Sequence, residues 1–290
     1  MVNKEFLLTS KQMAEFVYNG FLRFDEIIPK HLCQNALKEM EGRTLSAFDR
    51  QGLPFSEIWS NENSAIGKVF RTPEMEGIIH SLVGPNPRYD HHWPHLTKAN
   101  STSLEFLRQD AEYDPRFESF DIQISFFPTD VTIESGGTLF VPGSHFRRVH
   151  ESTIKRYQNI VGQVQCVCKA GTMVVWHHNL WHSGRSNHTQ TDRFMFKLRL
   201  NPTVRQQLLW NTDDLHDESI PKIIGKAHNW HGVNRRVEEM NKIRLWRSLT
   251  NQSNFDLPGW YWSRIQNSPN TAFDFSQGSF SMGKSSGAQY

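Results

Sequence analysis

The sequence predicts a mainly β fold with flanking helices, a sandwich or jelly-roll barrel, and three observations predict it. From Arg116 onward the apolar residues recur with period two in the runs "FDIQISFF", "GGTLFVPG", "GQVQCVCKAGTMVVW" and "RFMFKLRL", each bounded by Gly, Pro or polar turns. Two stretches ahead of them have helical spacing. The stretch from 203 to about 268 returns to helix-like sequence rich in tryptophan.

The elements follow in order. "LTSKQMAEFVYNGFLRF" offers Thr9 or Ser10 as a cap, continues with Met13, Phe16 and Val17 on one helical face, and stops at Asn19-Gly20 before a short apolar strand. "PKHLCQNALKEMEG" predicts a second helix. The strand runs come next, and Trp210, Trp230, Trp246, Trp260 and Trp262 are expected to pack helices against the sheets. Residues 1–268 read as a single domain, and residues 269–290, rich in Ser and Gly, as a flexible tail. No internal repeat is visible.

Composition excludes several function classes. With 290 residues, 37% hydrophobic and 12% aromatic, the chain can bury a sizeable core. Lys+Arg of 32 against Asp+Glu of 30 leaves a formal charge of +2, so no broad field favours nucleic acid or an anionic membrane. No segment approaches the roughly 18 apolar residues of a membrane span, and the amino terminus has no apolar signal core. Cys33, Cys166 and Cys168 form no CxxC pair, which suits a reducing compartment, and a cytoplasmic protein is expected. Oligomeric state is not legible.

Alternation within the strands marks an unusual face. In "DIQISFF", Ile122, Ile124 and Phe126 share one side, and Gln123, Ser125 and Phe127 the other. In "RFMFKLR", Phe194, Phe196 and Leu198 alternate with Arg193, Met195 and Lys197. A polar face ordinarily meets water. With helices outside a barrel, however, the apolar faces meet the helices, and Gln123, Ser125, Arg193 and Lys197 line an interior suited to a charged small molecule.

The histidines, 14 in all, form two clusters: His91, His92 and His95 in "DHHWPH", and His177, His178 and His182 in "WHHNLWHSG". Spacing alone permits zinc, because His178 and His182 would share a helical face. The segment reads as strand and turn instead, and the glutamate of an HExxH motif is absent. Ser144 lies in "PGSH" and not in a GxSxG elbow, and no Gly-rich phosphate loop is present.

"ESGGTLFVPGSH" (134–145) followed by "AGTMVVWHHNLWHSGRSNHTQTDRFMFKLRL" (170–200) resembles the phytanoyl-CoA dioxygenase family of iron(II)- and 2-oxoglutarate-dependent oxygenases. The opening "LTSKQMAEFVYNGFLRFDEIIP" is similar as well, and the likeness extends over roughly residues 7–215. The resemblance implies a double-stranded β-helix, a cupin-like jelly roll, with Fe(II), 2-oxoglutarate and O2 as cofactors. It implies that His182 and Asp110 ligate iron and that Arg193 holds the 2-oxoglutarate distal carboxylate, which suits a planar guanidinium fork. Gln123, Ser125 and Thr138 are further candidates for the co-substrate site. The expected reaction is hydroxylation of a small organic molecule, with Trp176, Trp181 and Phe127 among candidate pocket walls.

The sequence departs from the family's pattern at one ligand. The HxD triplet reads Arg108-Gln109-Asp110, so arginine stands where the first histidine is expected. A guanidinium has no lone pair to offer. At about 4 Å and an effective dielectric of about 20, its repulsion of a divalent ion is on the order of 8 kcal/mol before anions offset it. Three expectations therefore stay open: a histidine from His91, His92 or His95 completes the centre, iron binds weakly through Asp110 and His182, or the protein is a metal-free small-acid binder or regulator.

Overall fold

The computed structural model describes residues 2–42, 61–103, 105–110, 119–147, 151–156 and 159–257. The tail at 269–290, Trp260 and Trp262 lie outside these residues. Helix α1 (Ser10–Asn19) begins at Thr9, whose hydroxyl accepts from the Gln12 N–H while the Gln12 side chain accepts from the Thr9 N–H. It ends at Gly20, whose φ of +81° is the left-handed cap that glycine adopts without strain. Strand β1 (Phe21–Phe24) and helix α2 (Lys30–Glu41) follow.

Two short helices follow, α3 (Ala65–Phe70) and α4 (Pro73–Val83). Ser64 caps α3 through the Gly67 N–H, and Pro73 starts α4 at the position where a missing N–H costs nothing. The "DHHWPH" segment, which shows no strand periodicity, lies within a ten-residue strand, β2 (Arg88–Thr97). Its partner outweighs the proline, since β2 pairs along β8 from Arg88 to Thr97.

The remaining strands are β3 (Ile122–Phe127), β4 (Thr138–Phe140), β5 (Val164–Gln165), β6 (Thr172–His177), β7 (His182–Gly184) and β8 (Arg193–Asn201). They form a five-stranded antiparallel sheet in the order β1-β6-β3-β8-β2 and a three-stranded one in the order β5-β4-β7. The short helix α5 (Glu151–Ile154) lies between β4 and β5, and α6 (Ser219–Ile224) and α7 (Val233–Thr250) follow the last strand.

Alternation decides what meets what. Ile122, Ile124, Phe126, Phe194, Phe196 and Leu198 join the main core with Phe16, Met75, Ile78 and Trp246 from the helices. Each such side chain contributes about 1.5–3 kcal/mol by leaving water. On the other face Phe127, Val174 and Trp176 of the large sheet pack with Phe140 and Cys166 of the small one. The helices therefore cover the outside of the large sheet, and its polar face turns inward between the two sheets, as expected for the double-stranded β-helix. Among the described residues no helix is long and apolar enough to cross a membrane.

Candidate metal and organic-acid site

Inside the sheets is a cavity of about 260 Å³. Strand register explains which side chains enter it. Ser125 lies opposite Lys197 on β8, Thr97 opposite Arg193, and His95 opposite Met195. Residues directly opposite share a face of the sheet, so all of them reach the cavity. His92 lies opposite Leu198 instead, and its ring lies against Phe196 on the helix side.

Arg108 and His182 form an isolated antiparallel bridge: the Arg108 N–H donates to the His182 carbonyl at 3.0 Å, and the His182 N–H donates back at 2.9 Å. That pairing puts position 108 beside His182, and Asp110 two residues on reaches the same centre. His182 Nε2 is 3.5 Å from Asp110 Oδ1, and Arg108 Nε is also 3.5 Å from that oxygen. The other carboxylate oxygen accepts from Lys197 Nζ at 2.5 Å and from Gln123 Nε2 at 2.8 Å. Gln109 points elsewhere, accepting from the Trp181 indole N–H.

Burial alone would raise the Asp110 carboxyl, but the neighbouring His182, Lys197 and Gln123 hold it well below the usual carboxylate range. Burial, with Lys197 and Arg108 nearby, pushes the His182 imidazole down to about 4, against the pull of Asp110. It is therefore neutral at pH 7. Its Nδ1 lies 2.9 Å from the Leu180 carbonyl, which fixes that nitrogen as the donor and leaves Nε2 with a lone pair. Nε2 is buried and has no hydrogen-bond partner among the described residues. Burial lowers the Lys197 ammonium, and Asp110 opposes that shift.

The Arg193 guanidinium is anchored to the Ser135 and Arg185 carbonyls and to Thr97 Oγ1. Gly136 has φ of +92°, and a Cβ there would lie 2.5 Å from the Arg193 guanidinium and 2.3 Å from the Ser186 carbonyl. The Gly-rich turn of "ESGGTLF" is thus a consequence of how closely Arg193 approaches. Thr138 lines the cavity, and Ser125 Oγ accepts from the Trp176 indole at 3.3 Å. Of the candidates read from the sequence, His182, Arg193, Ser125, Thr138, Trp176 and Phe127 line this cavity, and Asp110 and Gln123 stand behind Lys197, whereas Trp181, expected as a wall, packs with Leu139 and Trp230 instead. Glu105 and Thr97 were missed. Glu105 Oε2 accepts from Arg108 at 2.8 Å and from the Gly184 N–H at 2.9 Å, and its spacing of three residues before Arg108 was the available signal.

Among the described residues the donor set does not fit a three-ligand ion. Asp110 Oδ1 and His182 Nε2 lie 3.5 Å apart, but Arg108 stands at the sequence position expected for the first histidine and Lys197 already holds Oδ2. Among the described residues no group of three His, Cys, Asp or Glu side chains can hold a metal. His95 enters the cavity without making such a group, and burial, with Lys197 close by, pushes its imidazole down to about 3. The lining carries five cations, Lys98, Arg108, Arg185, Arg193 and Lys197, against Glu105, with Asp110 behind Lys197. Asp192 answers Lys98 at 2.8 Å, and the remaining excess of positive charge in a partly enclosed space suits an organic anion.

The same fold occurs in solved oxygenase structures. The crystal structure of HygX from Streptomyces hygroscopicus with nickel and 2-oxoglutarate bound superposes with a TM-score of 0.55 at 16% identity, covering 72% of this chain and 94% of that one. EctD from S. alaskensis with bound Fe superposes at 0.55 and 18% identity, covering 69% and 78%. The 2-oxoglutarate-dependent carbocyclase SnoK from nogalamycin biosynthesis superposes at 0.53 and 17% identity, covering 72% and 89%. No curated protein sequence matches the chain. The family model for phytanoyl-CoA dioxygenase (PhyH) matches residues 16–195, from α1 through both sheets to the middle of β8. The chain therefore belongs to the phytanoyl-CoA dioxygenase family, whose enzyme class is the Fe(II)- and 2-oxoglutarate-dependent oxygenases and whose cofactors are Fe(II), 2-oxoglutarate and O2.

Proposed function

We propose that this chain is a metal-independent binding protein for a small organic acid, built on the oxygenase fold of its family. One observation carries the reading. The carboxylate expected to ligate iron is instead ion-paired, with Lys197 Nζ 2.5 Å from Asp110 Oδ2 and Arg108 Nε 3.5 Å from Oδ1. Bringing a dication to Asp110 would set it beside two unit positive charges in a partly desolvated site. A dicarboxylate such as 2-oxoglutarate suits the same charges, with one end at Arg193 and the other toward Arg108 and Lys197. Its partner is thus a small molecule, and the three free thiols agree with a cytoplasmic location.

Calorimetric titration with 2-oxoglutarate in the presence of a chelator tests the reading. Saturable binding is expected, and anaerobic addition of Fe(II) with 2-oxoglutarate should give no visible charge-transfer band. A stoichiometric band in the wild-type protein would overturn the proposal. Arg108→His, alone or with Lys197→Met, should create the band.

A second reading is favoured by His182 Nε2, buried, without a hydrogen-bond partner among the described residues and 3.5 Å from Asp110 Oδ1. On that reading Asp110 and His182 hold iron, Arg193 anchors 2-oxoglutarate, and a small organic molecule is hydroxylated at the expense of O2. Release of succinate from 2-oxoglutarate by iron-loaded wild-type protein separates it from the first.

A further inference from the structure

A second cavity, of about 240 Å³, lies on the far side of the PGSH corner, between α1 and the segment that leads into α7. Its walls include Tyr18, Asn19, Pro142, His228, Asn229 and Trp230. The Tyr18 and His228 rings stack face to face at 4.1 Å and 14°, and the Lys242 ammonium lies 4.7 Å from the Tyr18 ring centre. Trp230 gives a second aromatic surface, with the Arg147 guanidinium 4.0 Å from its ring centre.

Behind the His228 ring, and not part of the lining, is a buried charge cluster. Glu238 Oε1 is 2.5 Å from His228 Nδ1 and 2.6 Å from Lys242 Nζ, and the Lys242 side chain is wholly buried. Lys242 also donates to the Lys226 carbonyl at 2.7 Å. A carboxylate on Nδ1 makes that nitrogen the donor and orients the ring, so Nε2 presents a lone pair. Nε2 and the Trp230 indole N–H are both buried and without hydrogen-bond partners among the described residues. One is an acceptor and the other a donor, and both belong to lining side chains.

Two glycines keep the space around these groups open. A Cβ on Gly143, at φ of +75°, would lie 2.5 Å from His228 Nδ1, and one on Gly162 would lie 2.7 Å from the Asn229 amide. The glycine of "PGSH" therefore makes room for His228, a residue that the first cavity does not use.

We propose that this cavity is a second small-molecule site, for an uncharged planar nitrogen heterocycle of the nucleobase class. Aromatic walls select a flat ligand. The unmet acceptor at His228 and the unmet donor at Trp230 ask for a ligand carrying an N–H and a ring nitrogen or carbonyl, and the side-chain amides of Asn19 and Asn229 add adaptable contacts. The lining has no Asp, Glu, Lys or Arg, so a charged ligand gains nothing there.

Calorimetry on the full chain with adenine and, separately, cytosine as probes tests the site. At least one should bind saturably with a stoichiometry of one. Trp230→Phe keeps a smaller aromatic face and removes the N–H, and should weaken that probe at least about tenfold, the effect of one hydrogen bond to a desolvated partner. Arg193→Met, in the other cavity, should leave it unchanged. His228→Phe removes the acceptor but also disturbs the Glu238 cluster, so Trp230→Phe is the deciding variant. No saturable binding of either base, or affinity for Trp230→Phe within twofold of wild type, would overturn the proposal.

Discussion

Two buried carboxylates in this molecule have the same kinds of neighbour and differ in balance. Asp110, between the sheets, is held by Lys197 at 2.5 Å with His182 beside it. Glu238, on α7, is held by Lys242 at 2.6 Å with His228 beside it. At Glu238 one lysine, one carboxylate and one directly bonded histidine compensate one another. At Asp110 the histidine has turned its donor to the Leu180 carbonyl, and Arg108 adds a cation that Glu105 only partly answers. The Glu238 cluster is balanced in charge, and the Asp110 cluster retains positive charge that an incoming anion can neutralise. A buried ion pair alone is therefore no sign of a ligand site, whereas an uncompensated excess of one sign within a cavity is.

The largest expected effect tests the balanced cluster. Glu238→Gln leaves the buried Lys242 without its countercharge and should cost about 3–5 kcal/mol in urea unfolding. Asp110→Asn should cost less, about 1–3 kcal/mol, because Arg108 keeps Glu105 and Lys197 lies against a cavity that admits water. It should also tighten 2-oxoglutarate binding, since a competing carboxylate is gone. Equal stability losses, or weaker binding, would break the contrast.

The pH dependence sharpens it. Burial would raise the Glu238 carboxyl, but the His228 hydrogen bond and the Lys242 ammonium keep it below its ordinary value. A depressed folded-state value contributes stability above the unfolded value, about 4.3 for glutamate, and loses it as pH falls through the folded one. The stability difference between wild type and Glu238→Gln should shrink on acidification below about pH 4, as followed by urea unfolding across a pH series. The smallest effect is expected at the rim: Lys98 is well exposed and paired with Asp192 at 2.8 Å, so Lys98→Ala should change 2-oxoglutarate affinity less than twofold.

Much of the fold was legible because its strands carry period two. Ile122, Ile124 and Phe126 against Gln123, Ser125 and Phe127 already separated an apolar face from a polar one, which helices packed outside a barrel turn inward, and Thr9 and Gly20 marked the limits of α1. Strand β2 was not legible. "DHHWPH" has neither clean alternation nor strand-rich composition, and only its pairing with β8 makes it extended. The helices α3 and α4 were missed for a similar reason: they are short, and their buried faces are decided by the core they meet.

The candidate site divides along the same line. The motifs at 134–145 and 170–200 were enough to indicate the family, and the triplet Arg108-Gln109-Asp110 to expose the missing imidazole, because chemistry resides in residue type. That Lys197 closes on Asp110, that Glu105 answers Arg108, and that His95 enters the cavity while His92 faces Phe196 could come only from the tertiary structure. Register between distant strands sets which side chains share a face, and electrostatics in a desolvated space depends on ångström separations that linear spacing does not encode.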